Sequence, residues 1–428
     1  MNMNTFDRLE PATTPKPRYL DGLAARVVRA RLAGLEHGQL TLSDGVRIDH
    51  YGRRTERCPL NVTVHVHHPR FYGEVAFGGS IGAGEAYMLG YWTANDLTGL
   101  VRILLNNRTV LDGMETGLAR LTAPLQKALH WYNRNTRDGS RRNITAHYDL
   151  GNEFFALFLD PTMMYSSAIY PHPRASLEEA QQVRLERICR KLDLRPRDHL
   201  LEIGSGWGGM AIHAARHYGC RVTTTTISRR QHELAVERVR AAGLTDRITV
   251  LLEDYRDLTG HYDKLVSLEM IEAVGHQYYD AYFRQCAALL KPEGMMLLQG
   301  ITIADQRYEQ AKRSVDFIQR HIFPGSCIPS VAAMTDSIAR ASDLRLYHLE
   351  DIGPHYAATL RHWRVNFRRH LGEVRALGYP ESFVRLWEFY LCYCEGGFEE
   401  RALGDVQMLL VKPHNRRTPI LPPLTPLE

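Results

Sequence analysis

Leu200-Leu201-Glu202-Ile203 is an apolar stretch carrying one acid, and it runs into Gly204-Ser205-Gly206-Trp207-Gly208-Gly209 and then a helical pattern. Glycines at such a turn let the backbone bend and approach a ligand closely. The turn alone suits many nucleotide-binding folds, so the segments that follow decide. Arg221-Val222-Thr223-Thr224-Thr225-Thr226-Ile227-Ser228 reads as a second strand, a third precedes Asp254-Tyr255-Arg256-Asp257, and Lys264 to Glu272 reads as a fourth. No Gly-Lys-Ser/Thr phosphate cradle occupies the turn. An acid ending a strand beside a glycine turn, without a phosphate site, suits a cationic adenosine cofactor. S-adenosylmethionine is the candidate.

From about residue 144 strands and helices alternate, the pattern of a parallel sheet. Ser176 and Glu179 form a capping box ahead of an amphipathic stretch reaching Leu194. Helical patterns follow at 209–218, 229–242 and 277–290. Met295 to Ile303 reads as a fifth strand, and Leu344 to Asp351 and Asp405 to Lys412 supply two more. The expected fold class is α/β: a seven-stranded Rossmann-like methyltransferase sheet with a smaller N-terminal α+β domain. In that domain Leu40-Thr41-Leu42 and Val46-Arg47-Ile48 flank a turn and read as a hairpin, and Val62 to His67 alternates as a strand. Gly78 to Met88 reads as a glycine-rich turn entering a helix. The expected divisions are a disordered tail (1–20), a small α+β domain that is a candidate lipid binder (21–110), a helical basic connector (111–143), the methyltransferase domain (144–413) and a loose tail (414–428). The connector is basic near its end, through Lys127, Arg134, Arg137, Arg141 and Arg142.

Composition narrows the partners. A net charge of +5 on 428 residues is too weak to argue for nucleic acid, yet it is compatible with an anionic membrane surface. No apolar run approaches the roughly 20 residues that span a bilayer, and the first 16 residues lack a signal core. Seven scattered cysteines without a C-x-x-C pair fit reduced thiols in a cytoplasm. His65, His67 and His68 cluster, but no carboxylate or cysteine accompanies them at ligand spacing, so no metal site is expected.

The motifs taken together resemble the cyclopropane-fatty-acyl-phospholipid synthases and their mycolic-acid relatives. The resemblance rests on His147-Tyr148-Asp149-Leu150-Gly151-Asn152-Glu153-Phe154-Phe155, Met164-Tyr165-Ser166-Ser167-Ala168, Glu202 to Gly209, Thr225 to Ser228, Asp254 to Leu258, Glu272 to Gly275, Ile322 to Gly325 and Tyr356 to Leu360. It is looser N-terminally, through Gly82-x-Gly84-Glu85-Ala86-Tyr87-Met88-x-Gly90-x-Trp92. It implies transfer of the S-adenosylmethionine methyl to the cis double bond of a lipid acyl chain, with a bound bicarbonate taking a proton before ring closure. It also implies unsaturated phospholipid acyl chains as substrate, a cytoplasmic enzyme peripherally associated with the inner face of the membrane, and a homodimer.

Residue by residue, the resemblance assigns Tyr165 and Ser166 to the methionine end of the cofactor and Gly204 and Gly206 to the turn beneath it. Thr226 and Gln231 fall to the ribose and adenosine, and Tyr255 and Arg256 to the adenine. Glu202 is the acid expected to orient that site. The anion site would comprise Glu272, Ile301 and Tyr356, with Ser167 at the family's cysteine and Gln299 at its histidine. Ala273 replaces a further histidine. Serine and glutamine still hydrogen-bond an anion, but glutamine cannot relay a proton as histidine does. Methyl transfer is therefore the firmer expectation, and the product is a cyclopropane or a methyl- or methylene-branched chain.

Plainer explanations stand beside these. Ser228 and Gln231 form a capping box that needs no cofactor, Thr223 to Thr226 is a β-prone run, Glu272 could cap a helix and Tyr356 could be core. Two other functions remain open at the level of sequence: a small-molecule O- or N-methyltransferase, and a catalytically impaired lipid-binding protein.

Overall fold

The structure is a computed structural model that describes residues 19–116, 135, 136, 139 and 150–420. The expected N-terminal tail up to residue 18, most of the basic connector, His147 to Asp149 and the last eight residues lie outside the described residues. The chain divides into two compact units. One comprises Met1–Leu159, Gln306–Cys327 and Gly353–Gly404; the other comprises Asp160–Asp305, Ile328–Ile352 and Asp405–Glu428. Residues 306–327 and 353–404, expected within the methyltransferase domain, thus gather with the N-terminal part.

In the first unit, strands β1 (Gly38–Ser43), β2 (Ile48–Arg53), β3 (Asn61–Val66) and β4 (Trp92–Ala94) form a sheet in the order β2-β1-β3-β4. The hairpin expected around Asp44 forms, with β1 antiparallel to β2 and parallel to β3. Gly78 to Met88 departs in part from the expectation. Two helices meet at a non-helical Gly79 (φ 57°) within Arg70–Met88, so a helix does follow a break there, but Gly82 and Gly84 already lie inside that helix. The reason for glycine at Gly84 is packing: a Cβ there would collide with the Phe317 ring and come within 3.1 Å of Phe389. Helix Glu381–Glu399 packs on Gly353–Arg369, Leu97–Asn106 and Arg70–Met88. Its aromatic face explains the clustering, because Phe154, Phe158, Phe367, Phe383 and Trp387 form one buried group. His67 bonds Thr93 and His68 stacks on Tyr91, so both have structural partners.

The second unit is built on β5 (His199–Ile203), β6 (Arg221–Thr225), β7 (Ile248–Leu251), β8 (Tyr262–Leu268), β9 (Leu290–Ile303), β10 (Arg345–Asp351) and β11 (Leu403–Val411). Their order is β10-β11-β9-β8-β5-β6-β7. Strands β7, β6, β5, β8 and β9 run parallel to one another, and β10 is antiparallel to β11. Both faces are apolar in strict alternation. Leu201, Leu265 and Met296 join one core, while Leu200, Val266 and Leu297 join the other. Strands buried on both sides must be covered twice, which gives the layered α/β architecture. Helix Leu177–Lys191 starts where Ser176 accepts from the Glu179 N–H, and Arg229–Ala241 starts where Ser228 accepts from the Gln231 N–H.

Candidate active site

The order of the sheet reverses between β5 and β8, since β6 and β7 lie on one side of β5 and β9 to β11 on the other. A crevice opens at the C-terminal ends of the strands at such a point. Gly204 follows β5 there, and Glu269 follows β8. Along that edge the chain sets out, in order, Glu269, Gly204, Thr226 and then Asp254 to Asp257.

The glycine turn is held from behind. The Gly204 and Ser205 N–H groups both donate to the Thr225 carbonyl, at 3.0 and 2.8 Å. Gly204 and Gly206 have φ of 97° and 48°, a region open to glycine at little cost. A Cβ on Gly206 would meet nothing within 4 Å, so the turn faces open space. Glu202 is buried behind it and accepts from Thr224 Oγ1 at 2.6 Å. Burial pushes its carboxyl up to about 8, against the opposing pull of Thr224 and Arg184.

A second segment lies against this turn. Gly209 has no room for a side chain, because a Cβ would come within 2.6 Å of Met164 Sδ and the Thr162 carbonyl. Arg238 locks the two together, donating to the carbonyls of Pro161, Thr162 and Trp207. This brings Tyr165, half-buried, and Ser166, buried, to the crevice. Gln181 Nε2 donates to the Ser166 carbonyl at 2.9 Å, and Ser166 Oγ is buried without a hydrogen-bond partner.

On the far side of the turn, Thr226 Oγ1 donates to Gln231 Oε1 at 3.0 Å, which orients the glutamine amide, while the Gln231 N–H goes to Ser228. Cap and side-chain contact coexist. Asp254 grips Arg256 through Nε and Nη2, at 2.8 and 2.6 Å, so Arg256 braces its own loop. Tyr255 packs edge-on against Tyr282. An open glycine turn, an orphaned buried hydroxyl and a buried acid fit S-adenosylmethionine.

The third part is acidic. The fourth strand ends at Leu268, short of the expected Glu272, because Glu269 leaves it with φ 51° and Ile271 to Ala273 form a 3-10 turn. Met270 packs where a Gly204 Cβ would be, at 3.5 Å. Glu269 Oε1 accepts from the Ser167 N–H at 3.0 Å and from Gln299 Nε2 at 2.7 Å. Gln299 Nε2 also reaches Asp405 Oδ2 at 3.2 Å. Glu272 Oε1 accepts from the Ile301 N–H, while its other oxygen is buried without a partner. Glu272 therefore bonds across to β9 instead of capping a helix. Burial and then the neighbouring Glu269 push its carboxyl up to about 8. Asp405, fully buried, is raised well above the usual carboxylate range by burial and then by Glu269 and Glu272.

Behind this corner runs a polar chain. Gln407 Nε2 donates to Gln299 Oε1 at 3.0 Å, and Lys191 Nζ donates to Gln407 Oε1 at 2.8 Å and to Glu350 Oε2 at 2.7 Å. Among the expected anion residues, Ser167, Glu272, Gln299 and Ile301 thus share this corner of the second unit. Tyr356 belongs to the first unit, where it is buried, stacked on Phe398 at 4.5 Å. Sequence reasoning missed Glu269, Asp405 and Arg238. The first two carried one signal, an acid at the border of an apolar strand, as at Glu202.

Comparison with known proteins agrees with this geometry. Residues 135–408 match the family model for mycolic acid cyclopropane synthetase. The tuberculostearic acid methyltransferase UfaA1 of Mycobacterium tuberculosis is 36% identical over 425 residues, covering 94% of this chain and 95% of that protein. The cyclopropane-fatty-acyl-phospholipid synthase of Escherichia coli is 36% identical over 348 residues, covering 81% and 86%. Among solved structures, the mycolic acid cyclopropane synthase CmaA1 complexed with SAH and CTAB superposes with a TM-score of 0.60 at 30% identity, covering 64% of this chain and 98% of that one. With its seven-stranded sheet, glycine turn and flanking acids, the chain belongs to the mycolic acid cyclopropane synthetase family of S-adenosylmethionine-dependent methyltransferases.

Proposed function

We propose that the chain transfers the methyl group of S-adenosylmethionine to the cis double bond of an unsaturated fatty acyl chain in phospholipid, leaving a cyclopropane or a methyl- or methylene-branched chain. The observation that carries this reading is the acidic corner beside the glycine turn, where Glu269 and Asp405 meet at Gln299 and Met270 packs on Gly204. A methylated alkene is a carbon cation, and fixed negative charge placed where positive charge develops lowers its barrier. Methylation of an oxygen or nitrogen creates no carbon cation for such a corner to stabilise. The names of the relatives point the same way.

Bound S-adenosylmethionine supplies an electrophilic methyl. Tyr165 and Ser166 would hold its methionine end, Gly204 and Gly206 pass beneath it, Thr226 and Gln231 meet the ribose and adenosine, and Tyr255 and Arg256 flank the adenine. Glu202 lies buried behind the turn. The alkene is a weak nucleophile, so alignment must provide much of the rate. Two acceptors suit the departing proton. One is a bicarbonate held among Ser167, Gln299, Ile301 and Glu272; the other is a carboxylate of the chain itself.

The lipid substrate supports reversible association with the inner face of the membrane of a cytoplasmic enzyme, aided by the net charge of +5. Among the described residues no helix is long and apolar enough to cross a membrane. The resemblance also supports a homodimer. Flotation with anionic vesicles should show binding at low salt that weakens as salt rises. For the reaction, the purified chain is incubated with labelled S-adenosylmethionine and unsaturated phospholipid vesicles, and the acyl chains are analysed by mass and by NMR. Label in a ring or branch at the former double bond is the expected result. Label only in headgroups or small molecules would exclude this reading.

A further inference from the structure

We propose that Glu269 is the proton acceptor of the reaction, a carboxylate built into the chain at the place where a free oxyanion would otherwise sit. The proposal rests on the lipid-alkene reading above. Of the residues expected to hold an anion, Ser167, Gln299 and the Ile301 backbone donate hydrogen bonds in this corner. Each donates to a carboxylate of this chain. The Ser167 N–H and Gln299 Nε2 converge on one oxygen of Glu269, and the Ile301 N–H goes to Glu272. Two donors on one oxygen is the arrangement a bicarbonate would need, and Glu269 presents the same planar pair of oxygens.

The surroundings hold Glu269 in place through the Ser167 N–H and the Gln299 amide. Burial, and then the charge of Glu269, favour the protonated form of its neighbour Asp405. Glu269 is only partly buried, so it can meet a substrate and return a proton to solvent. It is held at φ 51°, a conformation that favours glycine over other residues. Glu272 Oε2, buried and unpartnered, lies in the same corner.

The step balances as follows. The alkene π pair forms the bond to the methyl carbon, and the sulfur keeps the pair of the bond that breaks. The neighbouring chain carbon is left cationic. A C–H bond of the new methyl then breaks. Its electron pair closes a ring onto the cationic carbon, or, after a hydride shift, forms the double bond of a methylene branch. The proton passes to a Glu269 oxygen. Loss of the methyl proton quenches the cation in either route, so an ordinary carboxylate suffices and position matters more than basicity.

Glycine suits the positive φ, so Glu269→Gly should fold, and it removes the carboxylate while leaving its space. The test uses the full chain, S-adenosylmethionine and dioleoyl phosphatidylglycerol vesicles in carbonate-free buffer. Wild type should turn over equally, within about twofold, with and without sodium bicarbonate. Glu269→Gly should bind the cofactor normally by calorimetry, lose turnover on the order of 10²-fold, and regain part of it with sodium formate or bicarbonate. Glu269→Gln should lose turnover without rescue, because its amide fills the space. A merely structural role would not separate the two variants in this way. Undiminished turnover in Glu269→Gly without added anion, or a wild type that requires bicarbonate, would overturn the proposal and leave the lipid reading intact. A wild type that binds cofactor but methylates no lipid would overturn both.

Discussion

Lys191 determines which way Gln299 faces, although Gln407 stands between them. An ammonium can only donate, so Gln407 must turn its oxygen to Lys191 and its NH2 to Gln299. Gln299 must then offer its oxygen to Gln407 and its NH2 to Glu269 and Asp405. The charge on a helix residue thereby polarises the acidic corner. Lys191→Met keeps the length and removes the donor. Turnover should fall about tenfold, the cost of one misdirected hydrogen bond, with cofactor affinity unchanged. Steady-state kinetics with calorimetry checks both; equal turnover would show that the amide needs no such guidance.

The open side of Gly206 makes a second prediction. Gly206→Val adds a side chain where nothing of the protein lies within 4 Å, at φ 48°. The fold should survive at a cost of about 1–2 kcal/mol. Cofactor affinity should drop by at least about 100-fold, because a branched side chain would stand between backbone and ligand. Titration of the folded variant measures this, and unchanged affinity would remove the turn from the cofactor site.

Ser167 and Glu272 should respond differently. Ser167 contributes its backbone N–H to Glu269, and its hydroxyl donates only to the Ala168 carbonyl among the contacts it makes. Ser167→Ala keeps the N–H, so its rate should stay within about threefold of wild type. Glu272→Ala strips the Ile301 N–H of its acceptor in a buried site. It should cost at least about tenfold in turnover. Product analysis of both variants decides, and a reversed order would assign the working contact to the serine hydroxyl.

Stability should carry the mark of the buried acids. Glu202 and Glu272 are raised to about 8 in the folded chain. Their unfolded values lie near the ordinary value of about 4.3. At low pH both states hold the protons and stability is full. As pH rises towards 8 the unfolded chain releases them while the folded chain retains them, so stability falls. Above that range the loss is complete and stops growing. The cofactor-free protein should therefore unfold at lower denaturant near pH 8 than near pH 5, by about 1 kcal/mol or more. Glu202→Gln should flatten the slope. A midpoint independent of pH in the wild type would contradict these shifts.

Much of the second unit could be read in the chain because its signals are local. Leu200 and Leu201 face opposite cores, as do Leu265 and Val266, so strand and layer follow from adjacent residues. The glycine turn announces itself through its neighbours. Asp405 and Glu269 do not, because they lie far apart in sequence and only the strand order brings β11 beside β9 and β9 beside β8. Arg238 resembles any arginine of an amphipathic helix until its three carbonyl partners are seen. Gly84 misled for the opposite reason. Its glycine is demanded by the Phe317 ring, a distant residue, and not by a turn.

Strand β5 acts as a partition. Thr226, Gln231 and Tyr255 follow β6 and β7, while Glu269 follows β8 and Gln299 and Asp405 sit on β9 and β11. Neighbouring strands are about 4.8 Å apart, so the two groups are close enough to serve one reaction yet occupy different walls. A lineage built on this plan can rewrite one wall and inherit the other. Exchanging two or three side chains beyond β5 would change the fate of the cation, and so the shape of the lipid, while the grip on the methyl donor passes on untouched.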